Sequence, residues 1–216
     1  IFLSLSIFSI LMIGVFLKKS FNIIFNLTSL IIIVSIAIII SSPNNEEKIF
    51  LDSFTRDAFS NYFKVLILLS SLFVLNSSKG FIVENKLDKF EYPIIILLSI
   101  LGMFFMVSSN DLILFYLGLE LQSLSLYILA SIDRDNLRST ESGIKYFVLS
   151  ALSSGLLLYG CSLLYGFTGS TNFDLISSQL NKENTGAVFA MVFILVGLAF
   201  KVSAVPFHMW TPDVYE

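Results

Sequence analysis

The chain has 216 residues, of which 56% are hydrophobic and only 13% are charged, and its mean hydropathy is +0.86. Since a soluble domain carries about 25% charged residues, this composition predicts an integral membrane protein. The net charge of −3 and the scattered Lys and Arg residues predict no nucleic-acid partner. One cysteine and one histidine are too few for a disulfide framework, or for a zinc or iron–sulfur site built by this chain alone. We therefore expect no bound metal, no bound cofactor and no electron transfer within the chain.

Apolar segments long enough to cross a bilayer recur along the sequence. They predict an all-α membrane protein with about seven transmembrane helices, at 1–17, 21–40, 58–76, 92–107, 112–132, 143–167 and 187–207. The first segment has no basic residue before it and no small-residue cleavage site, so it is interpreted as a retained helix and not as a signal peptide. The polar segments 41–57 and 168–185 show no apolar period and are predicted to be loops.

The loop charges favour one orientation in the membrane. The loops after the first, third and fifth segments hold more basic residues than the others: Lys18, Lys19, Lys79, Lys86, Lys89, Arg134 and Arg138, against Lys48, Arg56 and Lys182. The positive-inside rule places the first group on the side of synthesis. High Phe and Ile usage is typical of an AT-rich organellar gene, so we expect a multi-pass protein of the mitochondrial inner membrane. Its N-terminus would then face the intermembrane space.

The last apolar segment contains a basic residue and a helix breaker. Lys201 lies near its middle, and a lysine at bilayer depth costs about 2.5–3.5 kcal/mol, so its side chain should face a protein or water-filled interior. Pro206 has no N–H and deprives the Val202 carbonyl of its helical partner, so the helix is predicted to break there. His208 would share the face of Lys201 if the helix resumes, and histidine ordinarily titrates near neutral pH. It is a candidate for proton transfer, or equally a hydrogen-bonded anchor.

The fifth segment carries an acidic residue in its middle. At helical spacing, polar side chains form one stripe on an otherwise apolar helix: Tyr116, Glu120, Ser123 and Tyr127. A carboxylate at that depth needs a cation or water, and Lys201 is the lysine at matching depth. We therefore expect Glu120 to approach Lys201, either as a proton-transfer pair or as a static ion pair that fixes helix packing.

Lys145, near the start of the sixth segment, has two interpretations. Glu141 precedes it by four residues, so an ordinary surface ion pair accounts for it without any function. Further along the segment, small side chains predict close helix packing: Ser150, Ser153, Ser154, Gly155, Gly160 and Cys161. Four residues near segment ends are predicted to meet water or the membrane interface: Lys64, Asp111, Trp210 and Tyr215.

Two stretches of the sequence resemble one family of membrane proteins. The segment FKVSAVPFHMWTPDVYE resembles the signature of subunit 2 of the respiratory NADH:ubiquinone oxidoreductase, one of its antiporter-like membrane subunits, and GIKYFVLSALSSGLLLYG follows the same family's pattern. That family is built of two five-helix bundles of inverted topology. The resemblance implies three N-terminal transmembrane helices in 1–77 and the first four helices of the first bundle in 92–216. By this comparison the sequence is the amino-terminal half of the subunit.

The resemblance also implies a function. It predicts a non-redox, proton-translocating subunit in which Glu120, Lys145, Lys201 and His208 transfer protons. Energy would come from partner subunits that hold NAD, FMN, iron–sulfur clusters and ubiquinone. The expected partners are other membrane-arm subunits, a second polypeptide carrying the remaining helices, and lipids. Two alternatives remain open: a subunit of a multisubunit cation/proton antiporter, and a structural spacer without transport.

Overall fold

The computed structural model describes residues 1–17, 21–43, 46–180 and 185–215. In this part of the chain the helices are α1 (Phe2–Phe16), α2 (Phe21–Ser41), α3 (Ala58–Glu84), α4 (Glu91–Ser108), α5 (Leu112–Ala130), α6 (Leu137–Thr168), α7 (Phe173–Gln179), α8 (Thr185–Lys201) and α9 (Thr211–Tyr215). Two strands, β1 (Glu47–Ile49) and β2 (Phe54–Arg56), form an antiparallel hairpin. Among the residues of the orientation prediction, Lys18, Lys19 and Lys182 lie outside the described ranges.

The all-α membrane architecture is confirmed. Five helices, α2 to α6, are long and apolar enough to cross a bilayer, and α1 and α8 are shorter apolar helices. Two helices extend about two turns beyond the predicted apolar segments: α3 continues to Glu84, and α6 begins at Leu137. Lys79 and Arg138 therefore lie in helices and not in loops. Polar end turns of this kind are missed because an apolar stretch marks only the part of a helix that lies in hydrocarbon.

In the described part of the chain the helices bury three apolar clusters, of which the smallest is formed by Tyr127, Tyr146 and Trp210. Helices α1 to α4 pack around side chains that include Ile24, Phe25, Leu68 and Leu97. A second cluster joins α5, α6, α7 and α8 around Leu164 and other small or aliphatic side chains. Large apolar side chains cover much of the outer surface, as expected for helices that face lipid.

The polar connections at one end of the bundle are partly ordered. The prediction that 41–57 and 168–185 are plain loops is wrong at the hairpin and at α7, because three-residue strands and a two-turn helix are too short to show a period. Asp111 is not simply solvated as predicted. Its carboxylate caps α5 by accepting from the N–H groups of Ile113 and Leu114, and it also accepts from the Thr171 hydroxyl.

Lys64 also departs from the sequence prediction. Its side chain does not extend to the surface but is buried beneath the hairpin, with Nζ 5.5 Å from the centroid of the Phe54 ring. The hairpin and the aromatic side chains that it contributes cover this end of α3, which the sequence pattern of one helix alone could not indicate.

An ion pair joins the hairpin to α7. Lys48 Nζ lies 2.7 Å from Asp174 Oδ2, which also accepts from Asn110 Nδ2 at 3.2 Å. The hydrogen bond from Lys48 lowers the pKa of Asp174 from 3.8, and the same bond raises the pKa of Lys48 from 10.5. The stabilisation of the fold by the charged Asp174 carboxylate is complete above pH 3.8 and is lost as the pH falls through the lowered pKa. The stabilisation by the charged Lys48 ammonium is complete below pH 10.5 and is lost as the pH rises through the raised pKa.

We therefore expect the docking of the hairpin on α7 to be independent of pH between about 5 and 9. In membranes, proteinase K cleavage within the hairpin should proceed at one relative rate across this range, after correction for the activity of the protease itself. The K48Q variant should be cleaved slightly faster, by about threefold or less, because exposed ion pairs stabilise weakly. A strong rise in cleavage near neutral pH would contradict this account of the hairpin.

Candidate functional site

Helix α8 ends at Lys201, which places the ammonium group next to free helix carbonyls. Ser203 adopts a left-handed conformation (φ 56°), Ala204 N donates to Ala199 O at 2.8 Å, and Ser203 N donates to Phe200 O at 3.1 Å. These two bonds are those of a Schellman cap. The predicted break at Pro206 is therefore wrong in position, because the helix has already ended five residues earlier. The negative end of the α8 dipole favours a cation at Lys201.

His208 does not lie on a continued α8 helix. Residues 202–210 are not helical, and the imidazole is exposed to solvent. The structure thus does not bring His208 onto the helical face of Lys201, since that expectation required the helix to resume. Its backbone carbonyl accepts from Thr211 N at 3.1 Å, just before α9 begins.

The Lys201 ammonium lies among oxygen atoms from two other helices. Its Nζ is 3.0 Å from Ser123 Oγ and 3.1 Å from Tyr127 OH on α5, and 2.9 Å from Ser150 Oγ on α6. The Glu120 carboxylate lies 3.5 Å away. The Lys201 side chain is only 10% exposed, so these oxygens replace most of its hydration. The predicted approach of Glu120 and Lys201 is confirmed, as is the polar stripe of Ser123 and Tyr127 around it.

Two serines of α6 complete the network. Ser154 Oγ donates to Glu120 Oε1, and Tyr127 OH donates to Ser150 Oγ. Both serines are buried. The sequence pattern predicted only helix packing for Ser150 and Ser154, because a small residue in a membrane helix has that role most often. Their four-residue spacing was the available signal, because it places both hydroxyls on one face of α6.

Close packing of α6 against α8 positions Lys201. A Cβ atom on Gly160 of α6 would lie 2.9 Å from the Ala190 carbonyl oxygen of α8. A Cβ atom on Gly197, one turn before Lys201, would lie 2.7 Å from Leu157 Cβ and 3.1 Å from Ser153 O. Side chains are thus excluded where the two backbones meet. Gly155 does not take part, since a Cβ there would meet nothing within 4 Å.

An aromatic column covers the site on one side. Trp210 is buried, stacks on Tyr146 at 4.3 Å between ring centroids, and donates from Nε1 to Phe200 O at 3.3 Å. Tyr146 in turn packs edge-on against Tyr127. Trp210 is therefore buried against the protein and is not the exposed interface anchor that was predicted, whereas Tyr215 is exposed. The column ties the segment after α8 to the same tyrosine that contacts Lys201.

Lys145 lies apart from this network. Its Nζ is 2.9 Å from Glu141, as the sequence predicted, and 3.1 Å from Asp213 at the start of α9, which the sequence did not indicate. The side chain is 45% exposed. Lys145 thus joins α6 to α9 at the surface and makes no direct contact with Glu120 or Lys201.

A cavity reaches the network from the end of the bundle opposite the hairpin. It has a volume of about 520 Å³, lies between α4, α5 and α6, and has Lys89, Glu91 and Arg134 among its polar lining residues. Tyr127 lines the cavity and also contacts Lys201, so one phenol borders both the cavity and the buried ammonium. Within the described ranges, no group of three or more His, Cys, Asp or Glu side chains could hold a metal ion.

A buried Lys–Glu pair on transmembrane helices, at a helix terminus inside the bundle, is typical of membrane subunits that move ions. Comparison with known proteins agrees with this class. Residues 109–216, half of the chain, match the family described as "NADH:quinone oxidoreductase/Mrp antiporter, TM". The chain belongs to this family of antiporter-like membrane proteins.

Two relatives with high sequence identity are bacterial. The chain is 55% identical over 217 residues to NADH-quinone oxidoreductase subunit N of Pelagibacter ubique (strain HTCC1062), covering 100% of the chain and 46% of the relative. It is 52% identical over 219 residues to the same subunit of Bartonella bacilliformis (strain ATCC 35685 / KC583 / Herrer 020/F12,63), covering 100% and 45%. Subunit N is the homologue of subunit 2, so the predicted resemblance is confirmed. The chain spans about half the length of these relatives.

Solved structures share the fold. A chain of respiratory complex I from Thermus thermophilus with bound aureothin superposes with a TM-score of 0.83 at 29% identity, over 99% of this chain and 46% of that one. A chain of the archaeal membrane-bound sulfane sulfur reductase gives 0.82 at 22% identity, over 99% and 46%, and supports the fold alone.

We expect the G160L variant to lower the free energy of unfolding by about 1–3 kcal/mol, because its side chain would push α8 away from α6. G155L on the same helix is the matched control and should unfold at the wild-type temperature or slightly above it. The measurement is the thermal unfolding midpoint of the complete purified protein in detergent. Equal midpoints for the two variants would contradict the close approach of α6 and α8.

Proposed function

We propose that this chain translocates protons in the membrane arm of an NADH:quinone oxidoreductase. The observation that carries the proposal is the Lys201 ammonium, which is buried at the end of α8 and within 3.5 Å of the Glu120 carboxylate. More than 50% identity along the whole chain to two bacterial subunits N supports the same conclusion.

The geometry around Lys201 allows its ion pair to open and close. An ammonium group has three hydrogens to donate, and four oxygen atoms lie within 3.5 Å of Nζ. Lys201 can therefore move away from Glu120 and remain hydrogen-bonded to hydroxyl groups. Ser154 can hold the carboxylate in the same way. Neither ionic group is stranded, so the two states of the pair differ modestly in energy.

Proton binding follows from the state of the pair. Burial disfavours the charged form of an amine, whereas a neighbouring carboxylate favours it. We propose that protons are exchanged as Glu120 and Lys201 come into contact and separate. Tyr127 and Ser150 offer the next hydroxyl groups, and Tyr127 borders the cavity that opens beside Glu91. We propose water in that cavity as the connection to the surface.

The two remaining candidate residues, Lys145 and His208, are exposed and lie outside the buried pair. Lys145 with Glu141 and Asp213 forms an exposed charged group on α6 and α9, at the end of the bundle where the cavity opens. His208 is exposed in the segment between α8 and α9. We propose that both exchange protons with the aqueous phase, and that neither belongs to the buried pair.

The proposed context is a larger assembly. The chain spans about half the length of its relatives, so the remaining helices, such as those of a second five-helix bundle, would come from further sequence of the subunit or from a second polypeptide. Within the chain, 1–77 would supply three N-terminal helices and 92–216 the first four of the first bundle. This subunit would have no redox role, and NAD, FMN, iron–sulfur clusters and ubiquinone would lie in partner subunits.

The proposed location is an energy-coupling membrane. The composition, with 22 Phe among 216 residues, favours the mitochondrial inner membrane. The basic residues counted in the loops favour an N-terminus toward the intermembrane space. The relatives named above are bacterial.

We expect K201A and E120Q, introduced into the assembled complex, to lower NADH-driven proton pumping by about tenfold or more, since loss of a proton-transfer group typically costs 10²–10⁴-fold in rate. Pumping is measured by fluorescence quenching of a pH-sensitive dye in proteoliposomes, and native gels check assembly. K79A is the control, because Lys79 lies on α3 outside the network. Normal pumping by both variants in an assembled complex would contradict the proposal.

The same preparation separates the alternative functions. A sodium gradient that drives transport without NADH oxidation would favour a cation/proton antiporter. Loss of assembly, with normal pumping in the complexes that do form, would favour a structural spacer.

Two adjacent serines test the supporting hydroxyls. We expect S154A to lower pumping several-fold, because Ser154 is the hydroxyl that holds Glu120 when the pair opens. S153A is the matched control: the Ser153 hydroxyl is buried and has no hydrogen-bond partner among the described residues, so its removal should leave pumping unchanged. Similar effects of the two variants would show that Ser154 acts in packing alone.

A further inference from the structure

A second cavity lies beneath the hairpin, far from the Glu120–Lys201 pair. It has a volume of about 360 Å³ and is bounded by α1, α2, α3, α4 and β2. Two basic side chains line it, Arg56 of β2 and Lys64 of α3. Most of its other lining residues are aliphatic or aromatic, among them Ile38, Leu101 and Phe104. The cavity thus combines positive charge with apolar walls.

Lys64 has no direct ion pair within the described residues. The side chain belongs to a residue that is only 8% exposed, and no described carboxylate lies within ion-pair distance of its Nζ. Its recorded partner is the face of the Phe54 ring at 5.5 Å. A buried ammonium without a counter-ion is strongly unfavourable. The surroundings of Lys64 therefore favour an anionic ligand.

The nearby carboxylates do not pair closely with Lys64. Asp57 attracts Lys64 at longer range, but its carboxylate caps α3 by accepting from Ser60 N at 2.8 Å. Glu47 is 3.7 Å from the Arg56 guanidinium, which also donates to Pro43 O at 3.3 Å, so this pair is long and lies on the hairpin. With Lys64 and Arg56 both lining one cavity, the local charge there is positive.

The cavity lies at the hairpin end of the bundle. Lys64 lies six residues into α3, about 9 Å along the helix axis from its start. Leu101 lies seven residues before the end of α4 at the hairpin side, about 10 Å along that axis. Lys64 and Leu101 are thus at similar depth, whereas Arg56 is on the hairpin, so positive charge and apolar wall run side by side through the cavity. A ligand with an anionic group next to an apolar chain fits this arrangement.

We propose that this cavity binds one anionic phospholipid, with its phosphate between Lys64 and Arg56 and an acyl chain along the wall of α2 and α4. Guanidinium and ammonium groups are the usual partners of a phosphate, and charge assistance strengthens these bonds. A membrane supplies such lipid at high local concentration around the exposed apolar faces of these helices. Free phosphate would satisfy the cations but leave the apolar walls empty.

The test uses the complete assembled protein, purified in detergent and stripped of lipid. Phosphatidylglycerol is titrated in, and bound lipid is counted by native mass spectrometry. We expect K64Q to lower the apparent affinity for one tightly retained lipid by about tenfold or more. K79Q is the matched control, because Lys79 is a lysine of the same helix at its other end, 4.9 Å from the Phe25 ring and outside the cavity. It should retain wild-type affinity.

Two further measurements distinguish a lipid phosphate from free phosphate. Diacylglycerol with the same acyl chains should bind weakly to the wild type and to K64Q alike. Inorganic phosphate should not raise the thermal midpoint of the wild type, whereas phosphatidylglycerol should raise it in the wild type and not in K64Q. Equal retention by wild type and K64Q, or an equal rise with inorganic phosphate, overturns the proposal.

A second variant is available in case the first does not fold. K64Q removes a buried charge and leaves no acceptor unpaired, so its midpoint in lipid-free detergent should equal or exceed that of the wild type. If K64Q does not assemble, R56Q on the hairpin takes its place and should weaken retention several-fold. Unchanged retention by R56Q in that case counts against the site.

Discussion

The constraint on which the rest of the structure depends is the burial of the Lys201 ammonium. A cation inside a bilayer-spanning bundle must exchange its hydration shell for oxygen atoms of the protein. No one helix can supply them. Helix α8 contributes the negative end of its dipole, α5 contributes a carboxylate, a serine and a tyrosine, and α6 contributes two more serines. Three helices must therefore meet at one point, and the packing around that point follows from this need.

The burial of Lys201 also explains the small residues of α6 and α8. Gly160 and Gly197 bring the two backbones close enough for the serine hydroxyls, which have short reach, to contact Nζ. The aromatic column of Tyr127, Tyr146 and Trp210 holds the segment after α8 against the site. Because Trp210 also donates to the Phe200 carbonyl, it satisfies part of the helix terminus beside Lys201. Packing, capping and charge compensation thus converge on one residue.

The sequence predicted the parts of this arrangement that follow from rules about single helices. Apolar length located the spans, and the cost of intramembrane charge predicted that Glu120 and Lys201 approach each other. It did not predict the helix terminus, because a Schellman cap with Ser203 in place of glycine has no sequence signature. Pro206 was predicted to break the helix, but the backbone hydrogen bonds of the cap already end α8 before that residue. The roles of Ser150, Ser154 and Asp213 depend on contacts between helices, which spacing along one helix does not reveal.

The two buried lysines show how one energetic problem is met in two ways. Lys201 has a carboxylate and three hydroxyls of the same chain within reach, whereas Lys64 has an aromatic face and no described carboxylate. For Lys201, oxygen atoms outnumber the hydrogens to be donated, so one partner can be released while the others hold the group. For Lys64, no close counter-ion exists among the residues that the structure describes. The geometry therefore allows reversible chemistry at the first lysine, whereas the second lysine favours an anionic ligand from outside the described part of the chain.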